Sequence, residues 1–176
     1  MTLTSETQTT DNPTSSSWSW LSNLKVVNQF AALGEDFFSR VEPAPLTNPK
    51  LVDVSPEASE LLGINTEEHG ESLVQMLNGE ELPQSFDIFA MLYAGHQFGS
   101  WVPQLGDGRA MTLAQIENPA GELWELQLKG SGPTPYSRGS DGRAVLRSTI
   151  REYLCSEAMH ALGIPTTRAL ALIDSD

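Results

Sequence analysis

Residues 123–129, Leu-Trp-Glu-Leu-Gln-Leu-Lys, alternate apolar with polar side chains. This period of two is typical of a β-strand that has one buried and one solvent-exposed face. The next 13 residues, 130–142, contain four glycines and two prolines, so they are predicted to form a loop. The chain must therefore combine strands with its helices, and an all-helical fold is excluded.

A long helix is predicted immediately after this loop, over about residues 143–162. Gly163 and Pro165 should end it, because glycine favours the helix C-terminus and proline cannot continue a helix. Apolar residues recur every four positions, which predicts a stripe that faces the core. The stripe consists of Leu146, Ile150, Leu154, Ala158 and Leu162.

The remaining elements are read from shorter patterns. Ser55 is a predicted N-cap with Pro56 at the first helical position, and Gly63 is the predicted end of that helix. Further helices are predicted over 66–82 and 86–94, and strands over 51–54, 101–105, 110–116 and 166–173.

Charge limits the partners that the chain can have. Its 10 Lys+Arg and 23 Asp+Glu residues give a net charge of −13. Nucleic-acid binding and attachment to an anionic membrane both need a positive surface, so neither is expected. Residues 129–151 reverse the sign, which suggests either a small anionic ligand or a solvated helix face. Their charged side chains are Lys129, Arg138, Asp141, Arg143, Arg147 and Arg151.

Several other classes of protein are disfavoured. Cys155 is the only cysteine, so the chain has no internal disulfide and no cysteine-based zinc site, and we interpret this residue as a small packed side chain. His69, His96 and His160 lack metal-ligand spacing. The first 20 residues contain no basic residue and no apolar core of a targeting signal, and we expect a cytoplasmic protein.

The order of the predicted elements is that of a protein-kinase N-terminal lobe. A Gly-x-Gly turn between two strands, here Gly106 and Gly108, would let backbone N–H groups approach phosphates because glycine has no Cβ. A lysine on a later strand, Lys129, would neutralise the phosphates, and Glu152 on the following helix would hold that lysine in place. Each residue also has an ordinary structural interpretation as a turn glycine, a solvated lysine or a surface glutamate.

The same order divides the chain into three parts. Residues 1–17 are rich in Ser and Thr and are predicted to be a disordered tail. Residues 18–97 are predicted to be a mainly helical N-terminal extension, and residues 98–176 a partial kinase-like nucleotide-binding lobe. The expected fold class is α+β, with an antiparallel sheet and one long helix.

Arginines surround the start of the long helix. Arg143, Arg147 and Arg151 are four residues apart and share one helix face. Cations at a helix N-terminus interact unfavourably with the helix dipole. A phosphate bound there would be attracted by the dipole and also by the arginine side chains. Alternatively, these arginines pair with acidic residues of a domain outside the chain.

Long stretches of the chain closely resemble the selenoprotein O family, called YdiU in bacteria. The stretches run between about Phe30 and Ile173. They are EPAPLTNPKLVDVSPEASELLGI, YAGHQFGSWVPQLGDGRA and ELQLKGSGPTPYSRGSDGRAVLRSTIREYLCSEAMHALGIPTTRALAL.

The resemblance implies a kinase-like protein adenylyltransferase that uses ATP and magnesium to transfer AMP to hydroxyl side chains of proteins. It implies that Lys129 and Glu152 form the supporting ion pair, and that the C-terminal lobe with the catalytic aspartate and the magnesium ligands lies beyond residue 176. The chain alone is then expected to be inactive. An ordinary phosphotransferase lobe and a non-catalytic nucleotide-binding module are the alternatives. The ATP-contacting residues that the resemblance implies are Gly106, Gly108, Arg109, Lys129, Asp141 and Gly142.

Overall fold

The computed structural model of the chain describes residues 21, 24–66 and 70–176. The predicted tail over 1–17 and His69 lie outside these residues. Three α-helices and nine strands are present in the described part of the chain. The helices are α1 (Pro56–Leu62), α2 (Gly70–Asn78) and α3 (Leu146–Ala161), and a 3-10 turn spans Ala31–Leu33. The strands are β1 (Lys25–Val26), β2 (Phe38–Arg40), β3 (Lys50–Val54), β4 (Phe89–Met91), β5 (Gly95–Gln97), β6 (Ser100–Val102), β7 (Ala110–Glu117), β8 (Leu123–Lys129) and β9 (Ala171–Asp174).

The central sheet has five strands, and every pairing in it is antiparallel. β8 pairs along the whole of β7, while β1 and β4 pair with the other edge of β7 and β2 extends the sheet from β4. Two smaller antiparallel pairs, β3 with β9 and β5 with β6, complete the strands. The chain is therefore a mixed α/β fold with antiparallel sheets. This agrees with the combination of helices and an antiparallel sheet that the sequence predicts.

The core lies between the sheet and the first two helices. Alternate residues of β8 are buried, as the period of two predicts, so Leu126 and Leu128 face the core while Gln127 and Lys129 face outwards. Met76 and Leu73 of α2, within the helix predicted over 66–82, are almost completely buried. Substitutions at these buried positions should destabilise the fold, because a buried Leu→Ala substitution costs about 2–5 kcal/mol.

The first helix begins and ends at the predicted residues. The Ser55 hydroxyl accepts a hydrogen bond from the backbone N–H of Ala58 at 3.2 Å. Gly63 adopts the left-handed conformation that ends the helix, with φ of 70°. Both ends follow from side-chain chemistry that is local in sequence.

The helix predicted over 86–94 is wrong. Phe89–Met91 forms β4, which joins β2 to β7, and the Phe89 ring contacts those of Phe30 and Phe38. An aromatic residue that pairs on a sheet and packs on two other rings is stabilised more by that packing than by helix propensity. Residues 18–97, expected to be mainly helical, contribute three strands to the central sheet as well as α1 and α2.

The long helix forms, but four of the five stripe residues predicted to be buried are exposed, and Leu146 is half-buried. No residue of α3 is buried. Leu154 is 61% exposed and Leu162 is 72% exposed. The side of α3 that faces the sheet instead carries Thr149, Glu152 and Ser156. Cys155, which we interpreted as packed, is also exposed.

Candidate functional site

Glu152 lies between two cationic side chains, and this cluster is the centre of the candidate site. Its Oε2 atom is 2.5 Å from Nζ of Lys129, and its Oε1 atom is 2.8 Å from Nη2 of Arg109. The ion pair expected between Lys129 and Glu152 is therefore present. The pairing of Arg109 with the same carboxylate was not expected from the sequence.

The sheet register explains why the two cations meet. Ala110 on β7 is opposite Lys129 on β8, so Arg109 lies next to the end of β8. The backbone N–H of Gly130 donates to the carbonyl oxygen of Arg109 at 2.8 Å, which extends the pairing by one step. The two side chains thus leave the same end of a rigid strand pair.

The positive charges of Lys129 and Arg109 change the pKa of the Glu152 carboxyl that lies between them. Partial burial alone would raise the pKa of the Glu152 carboxyl, but hydrogen bonding to Lys129, its charge and that of Arg109 outweigh it. The pKa of Glu152 is consequently lowered from its ordinary value, and the group is ionised at neutral pH. All three side chains are between 39% and 53% exposed, so water and anionic ligands can reach them.

The Gly-Asp-Gly turn before β7 is fixed to the loop that follows β8. Gly106 has φ of +68°, and a Cβ added to it would lie 2.5 Å from Cγ of Tyr136. The Thr134 hydroxyl donates to the carbonyl oxygen of Asp107 at 2.6 Å, and the Ser137 hydroxyl donates to that of Gly108 at 2.5 Å. Packing and backbone conformation therefore require glycine at 106 whether or not a ligand approaches it.

The loop over 130–142 also closes on itself. Ser131 and Arg143 form an isolated antiparallel bridge, and a Cβ at Gly142 would overlap the backbone of Gly132. The Asp141 side chain accepts a hydrogen bond from the backbone N–H of Arg143 at 2.9 Å. Asp141 and Gly142 are thus held at the mouth of the loop, near the N-terminus of α3.

Arg143 precedes α3, whereas Arg147 and Arg151 lie on it, and their environments differ. Nη1 of Arg143 is buried and has no hydrogen-bond partner among the described residues. Arg147 and Arg151 are exposed, and neither forms an ion pair within the described part of the chain. The basic island seen in the sequence is therefore a real surface feature, and of its five basic side chains only Lys129 forms an ion pair within the described residues.

A cavity of about 450 Å³ separates α3 from the sheet. Lys129, Glu152 and Arg143 line one part of it, and apolar residues such as Leu126 and Leu172 line another. Of the six residues expected to contact ATP, only Lys129 lines this cavity. The glycines at 106, 108 and 142 belong to the two clamped loops outside it.

Three contributors to the site could not be assigned from the sequence. Tyr136, Thr134 and Ser137 hold the glycine turn, yet they occur in a stretch recognisable only as loop. Their hydroxyl groups were the available signal, because such groups in a turn-rich segment commonly bind nearby backbone. His96, by contrast, packs edge-on against Trp101 with ring centroids 5.2 Å apart, as a structural residue would.

The described residues contain no group of three or more His, Cys, Asp or Glu side chains that could hold a metal ion. They do not fit a complete magnesium site, which needs several oxygen ligands in octahedral geometry. Within the same ranges, none of the helices has the length and apolar character required to cross a bilayer.

The fold and the site together define a lobe in which a helix carboxylate holds two cations at the end of an antiparallel strand pair. Residues 20–176 match the model of the family described as "Protein adenylyltransferase SelO". The chain belongs to this family, as its motifs indicated.

Curated relatives agree with this assignment. The chain is 59% identical over 157 residues to "Protein nucleotidyltransferase YdiU" of Thiobacillus denitrificans, covering 89% of this chain and 32% of that protein. It is 54% identical over 157 residues to the protein of that name from Thioalkalivibrio sulfidiphilus, with the same coverage. For the Cupriavidus metallidurans protein, the identity is 56% over 151 residues, covering 83% of this chain and 28% of that protein. The chain thus spans about a third of the length of these relatives.

Proposed function

We propose that this chain is the ATP-binding lobe of a protein adenylyltransferase, which transfers AMP from ATP to the hydroxyl groups of Ser, Thr or Tyr side chains. The observation that carries the proposal is the position of Glu152 between Lys129 and Arg109. Family membership supports it, since the family is described by adenylyl transfer and the relatives by nucleotidyl transfer.

The two cations have the chemistry that a triphosphate requires. Lys129 supplies a compact positive charge, while the planar Arg109 guanidinium can donate two parallel hydrogen bonds to phosphate oxygens. Glu152 holds both side chains at one end of the sheet before ATP arrives, so less conformational entropy is lost on binding. In this role Glu152 is a positioning residue, and the cations contact the ligand.

The clamped loops supply the rest of the proposed site. Gly106 and Gly108 lack side chains, so the backbone of their turn can lie against a phosphate once the 130–142 loop has fixed it. Asp141 and Gly142 lie at the other loop and complete the set that we assign to ATP. Each glycine then serves both packing and ligand approach.

The reaction proposed for the longer protein is the displacement of pyrophosphate from ATP by a hydroxyl group. The hydroxyl oxygen of the protein substrate bonds to the α-phosphorus, the bond between that phosphorus and the bridging oxygen of the β-phosphate breaks, and pyrophosphate leaves. The hydroxyl proton is lost to a base. Charge develops on the phosphoryl oxygens, and cations aimed at them stabilise it more than they stabilise the ground state.

We further propose that this chain alone binds ATP without transferring AMP. Phosphoryl-type transfer depends on metal ions to neutralise developing charge, and we assign no magnesium ligand to the described residues. The magnesium used by such an enzyme, like its catalytic base, would be bound by residues outside this third of the protein.

A chimera tests the assignment. In it, this chain replaces the matched segment of the Thiobacillus denitrificans relative. The chimera is incubated with ATP and a protein mixture, and modified peptides are identified by mass spectrometry. AMP on Ser, Thr or Tyr hydroxyls, abolished by Lys129→Ala, is the expected result. Phosphate on those hydroxyls would indicate an ordinary phosphotransferase, and neither modification would indicate a non-catalytic module.

A further inference from the structure

The outward face of α3 has the composition of an interface. Ile150, Leu154, Ala158 and Leu162 are spaced four residues apart, so they form one stripe along the helix. All four are exposed, while the polar Thr149, Glu152 and Ser156 face the cavity and the sheet. A helix in water normally turns its apolar side inwards, so the orientation of α3 is reversed with respect to the described part of the chain.

Charge adds a second property to this face. Arg147 and Arg151 lie beside the stripe in its N-terminal half, and neither has an ion-pair partner in the described ranges. The chain as a whole is acidic, with a net charge of −13. The surface that fits this face therefore combines apolar side chains with carboxylates near the start of α3.

The size of the face discriminates between possible occupants. A helix of 16 residues is about 24 Å long and about 10 Å wide, so one face offers roughly 240 Å². A stable dimer buries about 800 Å² on each partner, which is several times more. A segment joined covalently to the lobe needs no such area, because its effective concentration at the face is already high.

The relatives contain such a segment. About two thirds of the length of each lies outside the part that this chain matches. We propose that the outward face of α3 is the docking surface for this remaining part of a longer family member, which covers the stripe and pairs with Arg147 and Arg151. Because Glu152 is on the same helix, docking there would fix the helix that holds Lys129 and Arg109.

Thiol labelling measures whether the stripe is covered. Cys155 is first replaced by Ser, and Leu154→Cys then supplies a single thiol on the stripe. The labelling rate by a maleimide is compared between the isolated chain and the chimera, after both are shown to unfold cooperatively. Leu33→Cys is the matched control, because Leu33 is 58% exposed and lies far from α3 in sequence. Leu162→Cys provides a second position on the stripe.

The proposal predicts that Cys at 154 and at 162 reacts at least tenfold more slowly in the chimera, while Cys at 33 keeps its rate. Equal rates for the stripe positions in the two proteins would overturn it. Slow labelling in the isolated chain that depends on concentration would instead assign the face to a second copy. Slow labelling there at every concentration would assign it to other residues of this chain, and would equally overturn the proposal.

Discussion

Gly106 and Tyr136 are in direct contact, and the contact joins the two loops of the candidate site. Tyr136 is buried, and its hydroxyl group is 2.9 Å from the hydroxyl of Ser39 on β2, so the ring cannot readily move aside. The glycine turn before β7 is therefore held from the side by the loop that follows β8. This relationship makes position 106 sensitive to any side chain.

Replacing Gly106 by Ala should destabilise the fold by about 2–5 kcal/mol. The positive φ alone costs a non-glycine residue about 1–2 kcal/mol, and the overlap with Tyr136 adds an overpacking cost of about 1–3 kcal/mol. Gly121→Ala is the matched control, because Gly121 has φ of +81° but no atom within 4 Å of the added Cβ. Urea unfolding of both variants measures the difference, and equal losses would refute the packing role.

The ion pair between Glu157 and Arg168 should contribute to stability more than an average surface pair. Arg168 donates from Nε and Nη2 to the two carboxylate oxygens at 3.0 and 2.7 Å, and its side chain is only 9% exposed. Glu157→Gln should lower the free energy of unfolding at pH 7 by about 1–3 kcal/mol, since it weakens a charged hydrogen-bond pair. Glu60→Gln, at an exposed position, should change it by less than about 0.5 kcal/mol. Similar losses would contradict this account.

The same pair should make stability depend on pH in a defined direction. Hydrogen bonding to Arg168 is the largest influence on Glu157 and lowers the pKa of its carboxyl. A lowered folded-state pKa means that the stabilisation is complete above the unfolded value of about 4.3 and is lost as pH falls through the folded value. The stability difference between the natural chain and Glu157→Gln should thus be constant from pH 7 to about 5.5 and shrink below about 4. A difference that grows on acidification would have the wrong sign.

The isolated chain should transfer no AMP. Incubation with labelled ATP, magnesium and a protein mixture should give no more incorporation than the Lys129→Ala variant does. The physical reason is that the transfer depends on a metal ion to neutralise the developing charge, and the described residues contain no group of three or more His, Cys, Asp or Glu side chains that could hold one. Incorporation above that of the variant would show that this chain is sufficient for catalysis.

Local chemistry predicted the parts of the fold that depend on it. The alternation of β8, the Ser55 cap and the Gly63 terminus are each specified within a few residues, and all appear where expected. The contact of Lys129 with Glu152 was expected from their order on a strand and the helix after it, which commonly pack together, combined with the family resemblance.

Contacts between residues distant in sequence determine the features of the fold that local sequence patterns do not specify. Residues 86–94 have no strong strand alternation, and β4 forms because β7 and β2 flank it. The apolar period of α3 was read correctly as a stripe, but a period does not reveal which surface covers it. The contact of Gly106 with Tyr136 joins residues 30 positions apart and depends on a loop conformation that composition does not specify.

The most direct measurement of the central claim is ATP affinity by isothermal titration calorimetry of the isolated chain and two variants at low and high salt. Lys129→Ala removes a cation that Glu152 holds, whereas Lys25→Ala removes a similarly exposed lysine that is paired with Glu117 at 2.7 Å. If Lys129 contacts the phosphates, its loss weakens ATP binding at least about tenfold, or roughly 1.4 kcal/mol, while Lys25→Ala changes it less than about twofold. Equal losses in the two variants that shrink together as salt rises would contradict the site and leave only a general effect of charge.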